Sequence, residues 1–291
     1  MSELRYIDNS SLWLFLCSSA EPRHFSDIIF GVNALKIKGV PSENIKVLVD
    51  DPAADLYLTP YGVSNVFQLS SAISILAALT GYSSVVAIVG GHGSLDGIGR
   101  PPFVLPASPL IDAIRSIPEI AFGVVILTQC FGGVFNYLAA NTQPELAFVG
   151  ATTLHPSLSL GISLKTPITS SDPSISLKNW SANIFGYTFF EWLLSPKDVD
   201  GDNAISLVDA FKYSGKVSND YLRDVKIQLF ERCQDLSRRL HDARHSVQLG
   251  NLQQFEVDAI GRQLQEALNL LHISQDPWIL HANLARKIIF W

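Results

Sequence analysis

Cysteines, basic clusters and long apolar runs are all scarce in this sequence. Its 291 residues include three cysteines, Cys17, Cys130 and Cys233. This odd and sparse set excludes a disulfide framework and predicts a reducing compartment, the cytoplasm. The net charge of −6, without a basic cluster, excludes the electrostatic surface that nucleic acids need. No apolar run reaches the roughly 18 residues of a membrane helix, so we expect neither nucleic acid nor membrane as a partner.

Apolar residues make up 47% of the sequence and charged residues 16%, a balance typical of a well-packed globular protein. The segment from Leu12 to Cys17, followed by Ser18-Ser19-Ala20, has the outline of a secretion signal. Glu3 and Asp8, however, stand where such a signal carries positive charge. We therefore interpret this apolar segment as the first β-strand.

Strand and helix patterns alternate through residues 12–152. Short β-branched runs predict strands, and apolar residues at helical spacing between them predict crossover helices. The alternation predicts an α/β fold, a three-layer sandwich with a mostly parallel sheet flanked by helices. The predicted strands cover residues 13–17, 45–49, 85–89, 124–127 and 147–152, and the predicted helices cover residues 28–37, 64–79, 110–117 and a segment beginning near Gly133.

The remaining segments have a different character. Residues 156–178 are rich in Ser, Thr and Pro and predict a long loop: a wall facing a substrate, a cleavable linker or an ordinary surface loop with a short strand. Beyond Tyr221, apolar residues at every third or fourth position predict two amphipathic helices that turn at Gly250-Asn251.

These patterns divide the chain into three parts. We expect a core of residues 1–216, an added helical hairpin of residues 217–272, and a C-terminal helix in residues 273–291 that closes onto the core. The hairpin either folds back onto the molecule or serves as an arm for a partner or for self-association, because its apolar stripe needs a surface to bury it.

Two of the predicted strands end in a reactive side chain. The strand at 85–89 leads into Gly90-Gly91-His92-Gly93, and the strand at 124–127 leads into Thr128-Gln129-Cys130. The carboxyl ends of parallel strands form one crevice, so we expect His92 and Cys130 to face the same cleft as base and nucleophile. Cys17 and Cys233 are interpreted as small buried apolar side chains.

Glycines around both residues favour this chemistry. Gly132 and Gly133 allow a tight turn into a helix whose amino end stabilises a thiolate. The glycines that flank His92 let backbone amides approach a substrate carbonyl oxygen, which is what an oxyanion hole requires.

Together these features resemble the caspase and legumain clan of cysteine peptidases, and most closely its bacterial-type legumain-like members. The resemblance covers residues 12–154. It implies a caspase-hemoglobinase-like fold, a His92–Cys130 dyad that hydrolyses peptide bonds through an acyl-enzyme, an oxyanion hole formed by the amides of Gly93 and Cys130, and no cofactor for the chemistry. The residues that carry it are Arg23-His24, Gly39–Val47, Asp50-Asp51, His92-Gly93-Ser94, Cys130 and Gly150–Thr153.

The substrate pocket departs from the family's pattern. Thr128 stands where legumain-like enzymes have an acidic residue, so specificity for basic side chains loses support. Arg23, where the clan places a pocket arginine, favours an acidic or amide side chain, whereas Asp96 favours a basic one, and the preference stays open. Glu21 replaces an asparagine that assists the histidine; it is either an orienting partner of His92 or a solvated loop residue.

An acidic loop at residues 198–209 has the ligand spacing of an EF-hand. Asp198, Asp200, Asp202, Ser206 and Asp209 offer oxygens at positions one, three, five, nine and twelve. Asn203 stands at the usual glycine position, and Asp209 replaces the usual glutamate, which lowers the expected affinity. The loop predicts either a structural or regulatory calcium site or a polar turn that caps the next helix.

The expected function is therefore that of a cytoplasmic cysteine-type endopeptidase with a protein or peptide substrate. Two alternatives stay open. One is a legumain-like transpeptidase, in which an amine attacks the acyl-enzyme in a cleft shielded from water. The other is a catalytically silent interaction module that acts through its helical hairpin.

Overall fold

The computed structural model describes residues 3–18, 21–101, 103–137, 144–249, 253–273 and 275–291. Two compact units are distinguished, one of residues 1–216 and 275–291, the other of residues 217–274. No helix in the described part of the chain is long and apolar enough to cross a membrane.

The secondary structure alternates along the first unit and becomes helical in the second. The strands are β1 (Arg5–Ile7), β2 (Leu12–Ser18), β3 (Ile45–Val49), β4 (Val66–Gln68), β5 (Ser84–Gly91), β6 (Gly93–Ser94), β7 (Gly97–Arg100), β8 (Phe103–Pro106), β9 (Phe122–Leu127), β10 (Glu145–Gly150), β11 (Ser159–Thr169), β12 (Ser176–Asn183), β13 (Trp278–Leu280) and β14 (Ile288–Phe290). The helices are α1 (Pro22–Ile37), α2 (Ala54–Leu58), α3 (Ala72–Ala77), α4 (Ala107–Arg115), α5 (Ile184–Leu194), α6 (Leu207–Gln248), α7 (Gln254–His272) and α8 (Ala282–Ala285).

A seven-stranded sheet forms the centre of the first unit, in the order β13-β10-β9-β5-β2-β3-β4. All neighbouring strands run parallel except β13, which is antiparallel to β10 at one edge. The predicted mostly parallel sheet flanked by helices is confirmed. Its strands read as continuous apolar runs because helices cover both faces.

The two faces of the sheet bury two separate apolar cores. Alternate residues of β2 point to opposite sides: Trp13 and Phe15 join α1 and α5 in one core, and Leu14 and Leu16 join α3 and α4 in the other. Fully burying a large apolar side chain stabilises the fold by about 1.5–3 kcal/mol. The central strands are therefore fixed from both sides, which gives the loops at their ends a rigid base.

Three smaller sheets surround this centre. β6, β7 and β8 form an antiparallel sheet directly after His92, β11 and β12 form a long hairpin, and β1 pairs with β14 in parallel. The second unit contains α7 and the part of α6 beyond residue 216. Cys233, Leu236 and Ala267 form its buried apolar centre. The predicted turn at Gly250-Asn251 lies outside the described residues.

The prediction of one helix over residues 64–79 was wrong for residues 64–71, which precede α3. Val66 and Phe67 lie in β4, paired with Val47 and Leu48 of β3, and a single 3-10 turn separates this strand from α3. β-Branched and aromatic residues favour a sheet edge when a partner strand is available. The local apolar spacing alone did not reveal that partner.

The predictions for residues 156–178 and 273–291 were also wrong. The first segment forms most of the hairpin β11–β12 rather than a loop. The second contains β13, β14 and the four-residue helix α8 instead of one closing helix. In residues 156–178, pairing of the two strands satisfies backbone groups that a loop would leave to water. In residues 273–291, β13 pairs with β10 and β14 with β1, partners too distant in sequence for the local apolar spacing to reveal. The helix expected near Gly133 is a 3-10 helix at Gly132–Tyr137, and residues 138–143 lie outside the described part of the chain.

Candidate active site

The two predicted catalytic residues, His92 and Cys130, follow the adjacent strands β5 and β9, and Glu21 follows the neighbouring strand β2. Val89 of β5 pairs with Leu16 of β2 on one side and with Leu127 of β9 on the other. The chain fills the sheet outward from β2 through β3 and β4, then returns to the opposite side with β5, β9 and β10. The reversal lies between β2 and β5, and such a switch point opens a crevice at the carboxyl ends of the strands.

His92 and Cys130 lie on touching turns at this crevice. The Gly93 backbone packs directly against the Cys130 carbonyl group, so closely that a β-carbon at position 93 would overlap its oxygen. The His92 amide donates to the Ser18 carbonyl oxygen at 3.0 Å, and the His92 carbonyl accepts from the Gly99 amide at 2.7 Å. His92 is buried and Cys130 half-buried, so the structure brings together the turns that carry both groups.

Glu21 contacts His92 directly. Its Oε1 lies 2.6 Å from Nε2 of His92. An ionised carboxylate only accepts hydrogen bonds, so the ring proton of a neutral His92 lies on Nε2 and Nδ1 keeps its lone pair. Glu21 thus makes the contact that an orienting partner of the imidazole requires, while its side chain remains 42% exposed.

The Glu21 carboxylate is itself held in place. Arg23 donates from Nε to Oε2 at 2.9 Å and from Nη1 to Ser159 Oγ at 2.7 Å. The hydrogen bonds from Arg23 and, second, from His92 lower the pKa of Glu21 to about 2. Glu21 therefore stays ionised beside His92, and the charge of Arg23 is already paired.

His24 completes this group from the first turn of α1. Its Nδ1 accepts from the Glu21 amide at 3.1 Å, and its ring meets the His92 ring edge to face, with centroids 5.1 Å apart. His24 is only 3% exposed. Burial is the main cause that lowers its pKa to about 3, so His24 is neutral at physiological pH.

Ser157 contacts the Cys130 sulfur, although the sequence did not single it out. Its amide donates to Sγ at 3.2 Å, and its carbonyl oxygen accepts from Sγ at 3.8 Å. The Ser157 hydroxyl oxygen lies 3.3 Å from both Asn183 Nδ2 and Gln275 Nε2, which position this segment.

Asn183 links the cysteine turn to α5. Its Nδ2 donates to the Thr128 carbonyl oxygen at 2.6 Å, and its Oδ1 accepts from the Gly186 amide as the N-cap of α5. An Asn immediately before the apolar run from Ile184 is a helix-start signal that sequence reasoning could have used.

A cavity of about 40 Å³ adjoins His24, but neither His92 nor Cys130 lines it. Its volume is enough for a few water molecules. Its lining is mostly apolar and includes Thr128, His24, Asp27 and Asn183. Thr128 fits the predicted pocket role by position, but its hydroxyl donates to the Val89 carbonyl oxygen at 2.9 Å.

The other two predicted pocket residues lie elsewhere. Arg23 is paired with Glu21 and is not among the residues that line the cavity. Asp96 is exposed at the turn between β6 and β7, where its amide donates to Ser94 Oγ. Neither side chain therefore gives this cavity a charge.

Asp27 is the acid that lines the cavity. Its carboxylate accepts from Trp180 Nε1 at 2.8 Å and from the Asn183 amide at 3.2 Å. Burial of the carboxyl group outweighs these hydrogen bonds and raises its pKa to about 7. No sequence pattern pointed to Asp27, because its partners come from β12 and the start of α5.

The acidic loop is well ordered by its own hydrogen bonds. Carboxylate oxygens of Asp198, Asp200, Asp202 and Asp209 lie within 4.8 Å of one another. Asn203, at the usual glycine position, has a left-handed backbone with φ of 67°. The buried Asp209, however, accepts from the amides of Val199, Asp200 and Ser206 and from the Ser206 hydroxyl.

This arrangement partly fits a calcium site. Asp198, Asp200 and Asp202 could supply oxygens to the ion. Ser206 and Asp209 instead hydrogen-bond to backbone amides of the loop. Lys212 already pairs with Asp200 at 3.0 Å, which opposes the ion's charge. Calcium binding here stays a prediction.

Comparisons with known proteins do not identify a family for this sequence, so its chemistry is argued from the site. No protein-family model matches the sequence, and no curated protein matches it significantly.

Proposed function

We propose that this protein is a cysteine endopeptidase with a caspase-hemoglobinase-like core, in which His92 and Cys130 form the catalytic dyad. The observation that carries the proposal is the contact between the Gly93 backbone and the Cys130 carbonyl, together with the Glu21–His92 pair at the topological switch point. A cysteine, a histidine and an orienting carboxylate, each supported by a neighbouring group, are the parts that nucleophilic catalysis requires.

The proposed reaction begins with transfer of the Cys130 thiol proton to Nδ1 of His92. The thiolate attacks the substrate carbonyl carbon, and His92 then gives the proton to the departing amine as the peptide bond breaks. Water, deprotonated by the same imidazole, hydrolyses the acyl-enzyme and regenerates the thiol. Glu21 stabilises the imidazolium between these steps because its lowered pKa keeps it charged.

Backbone amides are proposed to carry the negative charge that develops during the reaction. The Ser157 amide already points at the sulfur at 3.2 Å and favours the thiolate. The amides of Gly93 and Cys130 belong to the two touching turns, and we assign them to the substrate oxyanion. Preorganised amides of this kind need no rearrangement during the reaction.

The cavity beside His24 is proposed to hold the side chain that precedes the cleaved bond. Its small volume favours a small side chain over a long basic one, although Asp27 places a carboxyl group in the otherwise mostly apolar lining. Arg23 adds little attraction for an acidic side chain because Glu21 neutralises its charge.

The test is cleavage of a diverse peptide library by the wild type, by Cys130→Ala and by Cys233→Ala, with and without calcium. We expect the wild type and Cys233→Ala to cleave the same peptides and Cys130→Ala to lose all turnover. Cys233 is a suitable control because it is buried in the second unit. Equal turnover by wild type and Cys130→Ala, or none by any variant, would favour the silent interaction module instead.

A further inference from the structure

We propose that Glu21, His24 and His92 form a binding site for a transition-metal cation of the zinc type, and that the bound metal switches the dyad off. One carboxylate oxygen and one nitrogen from each imidazole lie within 4.8 Å of one another. Two imidazoles and a carboxylate are a donor set that zinc accepts in proteins. The binding site does not depend on the proposed function, whereas the inhibition rests on it.

A second observation points to a ligand at this cluster. Nε2 of His24 is buried and has no hydrogen-bond partner among the described residues. Buried polar atoms are nearly always paired, so an orphaned ring nitrogen beside a second histidine calls for an explanation. A metal ion would give this nitrogen a partner.

The ring protons rearrange when the metal binds. Nδ1 of His24 accepts from the Glu21 amide, so the neutral ring carries its proton on Nε2. Coordination through Nε2 moves this proton to Nδ1. The Glu21 amide then loses Nδ1 as its hydrogen-bond acceptor and donates to water instead. Glu21 is only partly buried, so water can reach the amide, but the lost hydrogen bond lowers the affinity.

Two arginines also oppose a cation here. Arg23 pairs with Oε2 of Glu21 at 2.9 Å, and Arg100 lies 3.8 Å from Oε1. Arg23 can keep its oxygen while Oε1 binds the metal. Arg100 is 63% exposed at its side chain, so water screens its charge. The site is therefore suited to reversible binding rather than to a permanent structural ion.

Occupancy removes the proposed base. Nε2 of His92, which contacts Glu21 in the structure, becomes a metal ligand. The neutral ring must then carry its proton on Nδ1, the nitrogen that accepts the thiol proton in the proposed reaction. Metal binding thus requires the His92 tautomer protonated on Nδ1, whereas catalysis requires the tautomer protonated on Nε2.

The experiment uses the full chain carrying Cys130→Ala. It measures Co²⁺ binding by visible absorption and Zn²⁺ binding by calorimetry. Excess Ca²⁺ is present to occupy the acidic loop. Removing the thiol excludes a metal site made by the cysteine. The same chain is then examined with His24→Phe, which keeps a ring against His92, and with Glu21→Gln. The matched control is His155→Phe, because His155 also pairs with a carboxylate, that of Asp276, outside the cluster.

We expect the Cys130→Ala chain to bind one Co²⁺ in a nitrogen-containing environment. His24→Phe and Glu21→Gln should each weaken binding about tenfold or more, and His155→Phe should leave it unchanged. Circular dichroism identifies any variant that fails to fold. If His24→Phe is unfolded, the result for Glu21→Gln decides the outcome. No binding by the folded chain, or binding that both substitutions leave intact, would overturn the proposal whether or not the protein cleaves peptides.

Zinc should also inhibit cleavage by the wild type, and a chelator should restore it. If metal binds as expected but cleavage is unaffected by zinc, the site stands and its proposed inhibitory role is wrong. If no peptide is cleaved under any condition, only the proposed peptidase function fails.

Discussion

Single residues decide how closely the two catalytic turns approach. Gly93 packs against the Cys130 carbonyl, and Glu21 reaches His92 within hydrogen-bonding distance. His92 and Cys130 could be predicted because each follows a short apolar strand in the sequence. Ser157 and Asn183 could not, because they lie 27 and 55 positions from the groups they contact, and only the tertiary structure brings them together.

Gly93→Ala tests this close approach. The added methyl group would overlap the Cys130 carbonyl oxygen, so the two turns must separate at a cost of about 1–3 kcal/mol in the free energy of unfolding. We expect a lower denaturant midpoint and a loss of peptide cleavage. Gly161→Ala is the matched control, because a β-carbon there meets no atom within 4 Å. Equal stability and activity in the two variants would contradict the packing described here.

At the scale of secondary structure, Asp27 joins three elements. It belongs to α1, accepts from Trp180 of β12, and accepts from the amide of Asn183 before α5. The central strands were predictable from their β-branched runs. The hairpin β11–β12 was not, because its partners and the side chains it buries, such as Trp180, are defined only once the strands pair. Helix α5 was missed although Asn183 signals its start.

Asp27→Asn should change how stability depends on pH. Burial raises the folded-state pKa of Asp27 to about 7 from an ordinary value of 3.8, so the folded state holds a proton that the unfolded state releases between these values. The stability from Asp27 is therefore fully present below about pH 4 and is lost as pH rises through 7. His24 acts oppositely, since its lowered pKa favours folding above pH 6.5.

Comparing the two proteins at each pH cancels the contribution of His24. The free energy of unfolding of the wild type, minus that of Asp27→Asn, should fall between about pH 4 and 7 by at most roughly 4 kcal/mol. Urea unfolding at intervals of pH measures this difference. A difference that is constant over this range would mean that Asp27 is ionised in the folded protein throughout.

At the scale of the whole molecule, every residue assigned to the site belongs to the first unit, residues 1–216 and 275–291. The α/β class was predictable because strand and helix patterns alternate over a long stretch of sequence. The edges of the sheet were not, because β13 and β4 are three-residue strands whose length gives too weak a pattern to distinguish from a turn.

Replacing residues 217–274 by a short Gly/Ser linker tests the independence of the first unit. The ends are adjacent, since a β-carbon at Gly215 would lie 2.8 Å from Cγ of Pro277. We expect the shortened chain to fold and to keep the cleavage activity of the full chain. Analytical ultracentrifugation of both chains also tests the prediction that the helical hairpin mediates self-association, which would disappear with the hairpin. An unfolded or inactive product would show that the first unit depends on the second.

The most direct test of the central claim is the reactivity of the Cys130 thiol toward iodoacetamide as a function of pH, in the wild type and in His92→Gln. Mass spectrometry locates the label, and the buried Cys17 and Cys233 serve as internal controls. We predict that Cys130 of the wild type is alkylated at neutral pH faster than Cys130 of His92→Gln, because the imidazole accepts the thiol proton and the thiolate is the nucleophile. Identical profiles for the two proteins would contradict the claim that the imidazole and the sulfur act together.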